Sequence, residues 1–230
     1  MTTDRLPVAV LWDMDGTLVD TEPLWTQARI DLAAEFGIEW VEGGVSEFAG
    51  KPMLETGRIM ADRGIRLSPT EVVARLVEQV ARATKESEPP WRPGARDLLA
   101  ALAEAGIRCA LVTQAYRAVA VQVAAAAHPS AFTVVIAGDD VTRSKPDPQP
   151  YRLAADALHV APVSCVAIED SDTGCRSALA AGCATLYIPH GTDVPDRPGQ
   201  TRRESLVAVT VDDLRAITAA HRAERARHSG

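Results

Sequence analysis

The chain has 230 residues, with 24 Lys and Arg against 31 Asp and Glu, a formal net charge of −7. Its 47% hydrophobic and 24% charged residues are those of an ordinary soluble globular protein, which excludes a collagen, a coiled coil or bulk disorder. The acidic balance argues against a nucleic-acid partner, and the absence of a run of roughly 18 apolar residues argues against a membrane span.

The N-terminus, Met1-Thr2-Thr3-Asp4-Arg5, carries an early acid and leads into a short apolar run with no small-residue cleavage site, unlike a secretory signal. Cys109, Cys165, Cys175 and Cys183 include no C-x-x-C pair, so neither a disulfide framework nor a zinc site is expected. They read as reduced core thiols of a cytoplasmic protein.

Five short apolar runs read as strands: Val8–Trp12, Cys109–Thr113, Phe132–Ile136, Val163–Ile168 and Ala184–Ile188. Each is apolar on successive positions, the pattern of a strand buried on both faces of a parallel sheet. Helical stretches alternate with them at Gly94–Ala105, Tyr116–Ala127, Pro148–Leu158 and Thr173–Ala181. Gly106 and Gly182 stand where left-handed C-terminal caps are common, and His128-Pro129 stops another helix. This alternation predicts an α/β fold with a doubly wound, mainly parallel sheet.

Residues 21–88 break the rhythm. Trp25, Ala28, Leu32 and Phe36 recur at helical spacing before Gly37, and Met53–Arg63 ends at Gly64. Ser68-Pro69-Thr70-Glu71 is a capping box with Pro in the first turn, followed by the stripe Val72, Val73, Leu76, Val77 and Val80. The expectation is an all-helical insertion at 21–88 in a core formed by residues 1–20 and 89–230, with Lys85–Pro90 as the return linker. Trp25 and Trp40 read as core packing, and Ala219–Gly230 as a frayed helix end or a disordered tail.

The residues with chemistry follow the strands. The first run ends in Asp13-Met14-Asp15-Gly16-Thr17, two carboxylates at a strand's carboxyl end, where open α/β sheets bind ligands. Buried together they repel, and a magnesium ion suits such oxygen donors; a solvated acidic turn is the alternative. The second run ends in Thr113-Gln114, Ser144-Lys145-Pro146-Asp147-Pro148 opens a helix, and the fourth run ends in Glu169-Asp170-Ser171, with Gly174 beyond. If the strand order brings these ends together, they form an anionic metal pocket holding one lysine.

In this order and spacing, Asp-x-Asp-Gly-Thr, Thr, Lys-Pro-Asp-Pro and Glu-Asp-Ser-x-x-Gly resemble the four motifs of the haloacid dehalogenase-like hydrolase superfamily, from about Val8 to Pro189. The helical insertion resembles the cap of its beta-phosphoglucomutase-like and phosphoglycolate-phosphatase-like branch. The resemblance implies a Rossmann-like catalytic core, a helical cap and a magnesium-dependent phosphatase of small phosphorylated metabolites.

By this resemblance Asp13 is the nucleophile that forms an aspartyl-phosphate, and Asp15 is the general acid and base. Thr113, Gln114 and Lys145 meet the phosphoryl group or the substrate. Asp13, the main-chain carbonyl of Asp15 and Asp170 bind magnesium. Glu169 either supports them from behind or reaches the metal through water. Gln114 departs from the more usual Asn, and Trp12 from the more usual Phe.

A sugar phosphomutase and a non-catalytic phosphate-binding domain are the competing readings. The mutases typically carry His where Trp25 stands, and Arg three residues after the glycine corresponding to Gly50. Here the stretch is Gly50-Lys51-Pro52-Met53, which resembles the substrate loop of the phosphatases, so Gly50 and Lys51 are expected to contact substrate. A monomer is the expected assembly. The particular metabolite is not legible.

Overall fold

The computed structural model describes residues 7–40, 48, 53–127, 131–191 and 193–228. In chain order its elements are β1 (Ala9–Trp12), α1 (Glu22–Glu35), α2 (Met53–Asp62), α3 (Pro69–Glu86), α4 (Ala95–Glu104), β2 (Arg108–Val112), α5 (Arg117–Ala127) and β3 (Val134–Ile136), then α6 (Gln149–Ala157), β4 (Cys165–Glu169), α7 (Asp172–Ala181), β5 (Ala184–Tyr187), β6 (Gln200–Arg202) and α8 (Val211–His228). They fall into two compact units, one running up to Asp20 and from Pro89 onward, the other Thr21–Glu88.

The first unit is a six-stranded parallel sheet in the order β3-β2-β1-β4-β5-β6. The central strands β1 and β4 are buried along their whole length. This is why they show unbroken apolar runs rather than alternation. β1 lies between β2 and β4, with Trp12 level with Leu111 on one side and Ile168 on the other. The chain builds outward from β1 to β3, then returns to place β4 on the opposite flank. That reversal opens a crevice at the carboxyl ends of β1, β2 and β4.

Helices α6 and α7 cover one face of the sheet, where Tyr151, Ala154, Leu158 and Ala178 pack on Ala9, Leu11, Ala110, Val112 and Ala167. Helix α4 contacts α8 and β2, and α8 contacts β4 and β5. All four cysteines are free and buried, and burial pushes the thiols of Cys109 and Cys165 up to about 12, which leaves them inert at neutral pH. No helix among the described residues is long and apolar enough to cross a membrane.

Two elements depart from expectation. The strand β6 is polar, Gln200-Thr201-Arg202, and pairs only with β5 at the sheet edge. Beyond residue 219 the chain is neither frayed nor disordered as far as His228: α8 runs without interruption from Val211. Its start is fixed by reciprocal bonds, Asp213 N–H to Thr210 Oγ1 at 3.2 Å and Thr210 N–H to Asp213 Oδ2 at 2.9 Å. Its buried stripe, Leu214, Ile217, Thr218 and His221, contains two polar residues, which hides it in a hydropathy reading. Both find a carbonyl acceptor inside: Thr218 donates to Leu214 O at 2.8 Å, and His221 Nε2 lies 3.0 Å from Gly182 O.

The second unit contains α1, α2 and α3. Ser68 caps α3, accepting from Glu71 N–H at 3.3 Å while Glu71 accepts from Ser68 N–H at 2.8 Å. Val72, Val73, Leu76 and Val80 are buried, and Thr84 joins them because its hydroxyl donates to Val80 O at 2.8 Å. Trp25 and Trp40 are both buried, and Trp40 lies 6.1 Å from Phe48 between ring centroids. They pack as core residues. Gly50 and Lys51, expected to contact substrate, lie outside the described residues.

Candidate active site

The crevice at the end of β1 gathers most of the residues singled out in the sequence. Asp13 directly follows β1, and its N–H donates to Ile168 O at 3.0 Å, continuing the ladder with β4. The next residues close a tight turn: Leu18 N–H and Val19 N–H both donate to Met14 O, at 2.9 and 3.0 Å. Gly16 sits in this turn at φ +85°, and a β-carbon there would collide with the Asp170 carboxylate. Only glycine both adopts that angle and lets the β1 turn come so close to the end of β4.

Lys145 comes from the loop before α6 and is almost wholly buried. Its ammonium donates to Asp13 Oδ1 at 2.6 Å, Glu169 Oε1 at 2.6 Å and Val112 O at 2.9 Å. An ammonium has three protons, and three protein acceptors take them. Two of those acceptors are carboxylates, so Lys145 ties Asp13 at the end of β1 to Glu169 at the end of β4. Burial alone would lower its pKa, but Asp13 and Glu169 outweigh burial and hold it raised, so it is charged.

Its loop is braced on both sides. Gln114 Nε2 donates to Lys145 O at 3.4 Å, and Gln149 Oε1 accepts from Arg143 N–H at 2.7 Å. The Gln114 amide thus meets the lysine loop. Thr113, at the end of β2, is buried, and its hydroxyl accepts from Ala115 N–H at 3.0 Å.

Asp13, Glu169 and Asp170 present carboxylate oxygens within 4.8 Å of one another. The carboxylate of Asp15 lies outside that group. One ammonium against three carboxylates leaves two negative charges when all ionise. The strain shows in Asp170: burial first, then Asp13 and Glu169, push its carboxyl up to about 8. Burial likewise raises Glu169, against the pull of Lys145. A hard dication with oxygen ligands fits this donor set and this charge deficit. The same causes favour the protonated form of Asp170, and a cation held there would displace that proton, so its binding is expected to tighten as pH rises toward about 8.

Tyr151 and His190 at the site escaped the sequence reading, and Ser171 entered it only as part of a motif. Tyr151, on α6, donates its hydroxyl to Glu169 Oε1 at 2.5 Å. Its signal was a phenol six positions beyond the lysine, on an otherwise apolar helix face. Ser171 caps α7 and also donates to Glu169 Oε2 at 3.2 Å. His190, just beyond β5, is the side chain beside which a Gly16 β-carbon would fall, and its Nε2 lies 3.9 Å from Asp20 Oδ2.

A profile of the haloacid dehalogenase-like hydrolases matches residues 8–182. The phosphoglycolate phosphatase encoded on a plasmid of Cupriavidus necator is 33% identical over 229 aligned residues, covering 95% of each chain. Hexitol phosphatase A of Escherichia coli is 34% identical over 210 residues, covering 90% of this chain and 92% of that protein. Among solved structures, CbbY from Rhodobacter sphaeroides in complex with phosphate superposes with a TM-score of 0.75 at 31% identity, covering 91% of this chain and 99% of its own. With the parallel sheet, the helices around it and the acidic crevice, these matches establish that the chain belongs to the haloacid dehalogenase-like hydrolase family.

Proposed function

We propose that this protein is a magnesium-dependent phosphatase that hydrolyses a small phosphorylated metabolite, such as a sugar phosphate, through an aspartyl-phosphate on Asp13. The observation that carries this reading is the buried Lys145 ammonium, 2.6 Å from Asp13 and 2.6 Å from Glu169, with Asp170 beside them. It sets a fixed positive charge against the Asp13 carboxylate, the group that would attack phosphorus. The named phosphatases at 33% and 34% identity support the same reaction.

In the first step an Asp13 oxygen forms a bond to phosphorus while the ester P–O bond breaks, and Asp15 gives a proton to the departing oxygen. In the second, Asp15 takes a proton from water, whose oxygen bonds to phosphorus as the Asp13–phosphorus bond breaks. Inorganic phosphate leaves, Asp13 is again a carboxylate and Asp15 again a carboxylic acid. Asp13 and Asp170 would hold magnesium with the Asp15 carbonyl; the bound ion would neutralise charge on the phosphoryl oxygens. Thr113 donates to those oxygens, and Glu169 supports the site from behind.

All of these residues lie in the first unit; the helical unit 21–88 takes the role of a cap, with Gly50 and Lys51 as its substrate contacts. Trp25 supports hydrolysis over mutase chemistry. It stands where mutases of this branch typically carry His, it is buried, and its indole donates to Thr21 Oγ1 at 3.2 Å, so no proton-transfer group occupies that position.

A panel of phosphometabolites assayed with magnesium tests the reading. Phosphate release is expected to equal substrate consumed, to stop on chelation, and to need less magnesium as pH is raised toward about 8. An isomeric sugar phosphate in place of free phosphate would identify a mutase. Undiminished turnover after exhaustive chelation would overturn the metal assignment.

A further inference from the structure

The Glu169 carboxylate is fully buried, yet neither oxygen is left to itself. Oε1 accepts from Lys145 Nζ at 2.6 Å and from Tyr151 OH at 2.5 Å, and Oε2 accepts from Ser171 Oγ at 3.2 Å. Behind it Gly174 presses so close that a β-carbon there would overlap the carboxyl group. Tyr151 is itself fully buried, and the Lys145 ammonium lies 5.2 Å from its ring centroid.

The consequence reaches Asp13. Lys145 stands on three acceptors, and only Val112 O belongs to the rigid backbone of the sheet. The other two are side chains, Asp13 and Glu169. If Glu169 can swing, the ammonium follows it, and the nucleophile loses the fixed charge that orients it. A hydroxyl on a helix packed against the sheet prevents that swing. We propose that Tyr151 is a positioning residue for the nucleophile, acting through Glu169 on Lys145 and so on Asp13. This inference rests on the phosphatase reading above.

Removing one hydroxyl leaves a buried carboxylate oxygen with one donor fewer. Small displacements of a reacting group cost rate rather than binding. Tyr151→Phe should therefore lower kcat on 4-nitrophenyl phosphate about tenfold and leave KM within about twofold, since the phenol touches no substrate. Circular dichroism at the assay temperature establishes that the variant is folded.

A folded variant with kcat within twofold of wild type would overturn the inference and leave Tyr151 as packing. Should Tyr151→Phe fail to fold, Glu169→Gln is compared with the Glu169→Gln, Tyr151→Phe double variant, in which the carboxylate that Tyr151 meets has lost its charge. Equal kcat in these two supports the relay, because Tyr151 then has no carboxylate to act through; a further tenfold loss in the double variant contradicts it. A wild-type protein that releases no phosphate from any substrate would instead sink the phosphatase reading, and the inference with it.

Discussion

Replacing Asp13 by Asn is expected to lower phosphatase kcat by at least about a thousandfold, the scale seen when one member of a catalytic unit is removed. The substitution keeps the shape of the side chain and removes the charge that attacks phosphorus. Stability should move the other way. In the metal-free protein Asp13 is one of the carboxylates that push the Asp170 pKa up, second only to burial. Removing its charge relieves that repulsion, while Lys145 keeps Glu169 as a counter-ion 2.6 Å away. The Asn variant should therefore melt no lower than wild type in the presence of chelator. A variant retaining a tenth of wild-type turnover has lost only about 1.4 kcal/mol of transition-state stabilisation, too little for a missing nucleophile.

Lys145→Met makes the opposite pairing of effects. Its side chain is only 2% exposed and its charge faces two carboxylates and a carbonyl. Without it, Asp13 and Glu169 lie buried together with no counter-charge, and breaking a buried pair from one side costs about 3–5 kcal/mol. Activity should fall by about a thousandfold as well, because the nucleophile then takes up a proton or turns away. The stability loss should be larger at neutral pH than in mild acid, where protonation of the orphaned carboxylates relieves it. Melting temperatures of wild type and variant across that pH range are the check; a loss that does not change with pH would mean the lysine contributes packing alone.

The comparison of the two variants separates what the sequence makes legible from what it leaves hidden. Asp13 is legible as a site residue because a strand buried on both faces places its charges at its ends, and Asp13 follows an unbroken apolar run; the role of nucleophile is what the motif resemblance implies. Gly16 is legible for a related reason, since a glycine between two functional residues signals a turn that no side chain tolerates. Lys145 is legible as a residue, but its depth and its full set of acceptors are not. That its three donors are consumed by Asp13, Glu169 and Val112 O is a matter of depth, which spacing along the chain does not record.

Tyr151 is hidden in the same way: on a helix face with Ala154 and Leu158 it reads as core, and only the crossing from β3 to β4 sets its hydroxyl against Glu169. The edge strand β6 and the long α8 fail for another reason. Their burial is partial and their stripes contain Thr201, Thr218 and His221, so the periodic apolar signal falls away even though the backbone is regular.

The most direct measurement is to locate the phosphoryl group during turnover. Asp15→Asn removes the residue assigned to activate water while leaving Asp13 and Lys145 in place. With 4-nitrophenyl phosphate, whose leaving group needs little help from an acid, the first step should still proceed and the second should stall. Quenching this variant seconds after mixing with substrate and magnesium, then mapping the modified peptide by mass spectrometry, should find the phosphoryl group on Asp13. Its appearance on any other side chain, or steady release of nitrophenol with no phosphorylated Asp13 at any time, would contradict the covalent mechanism.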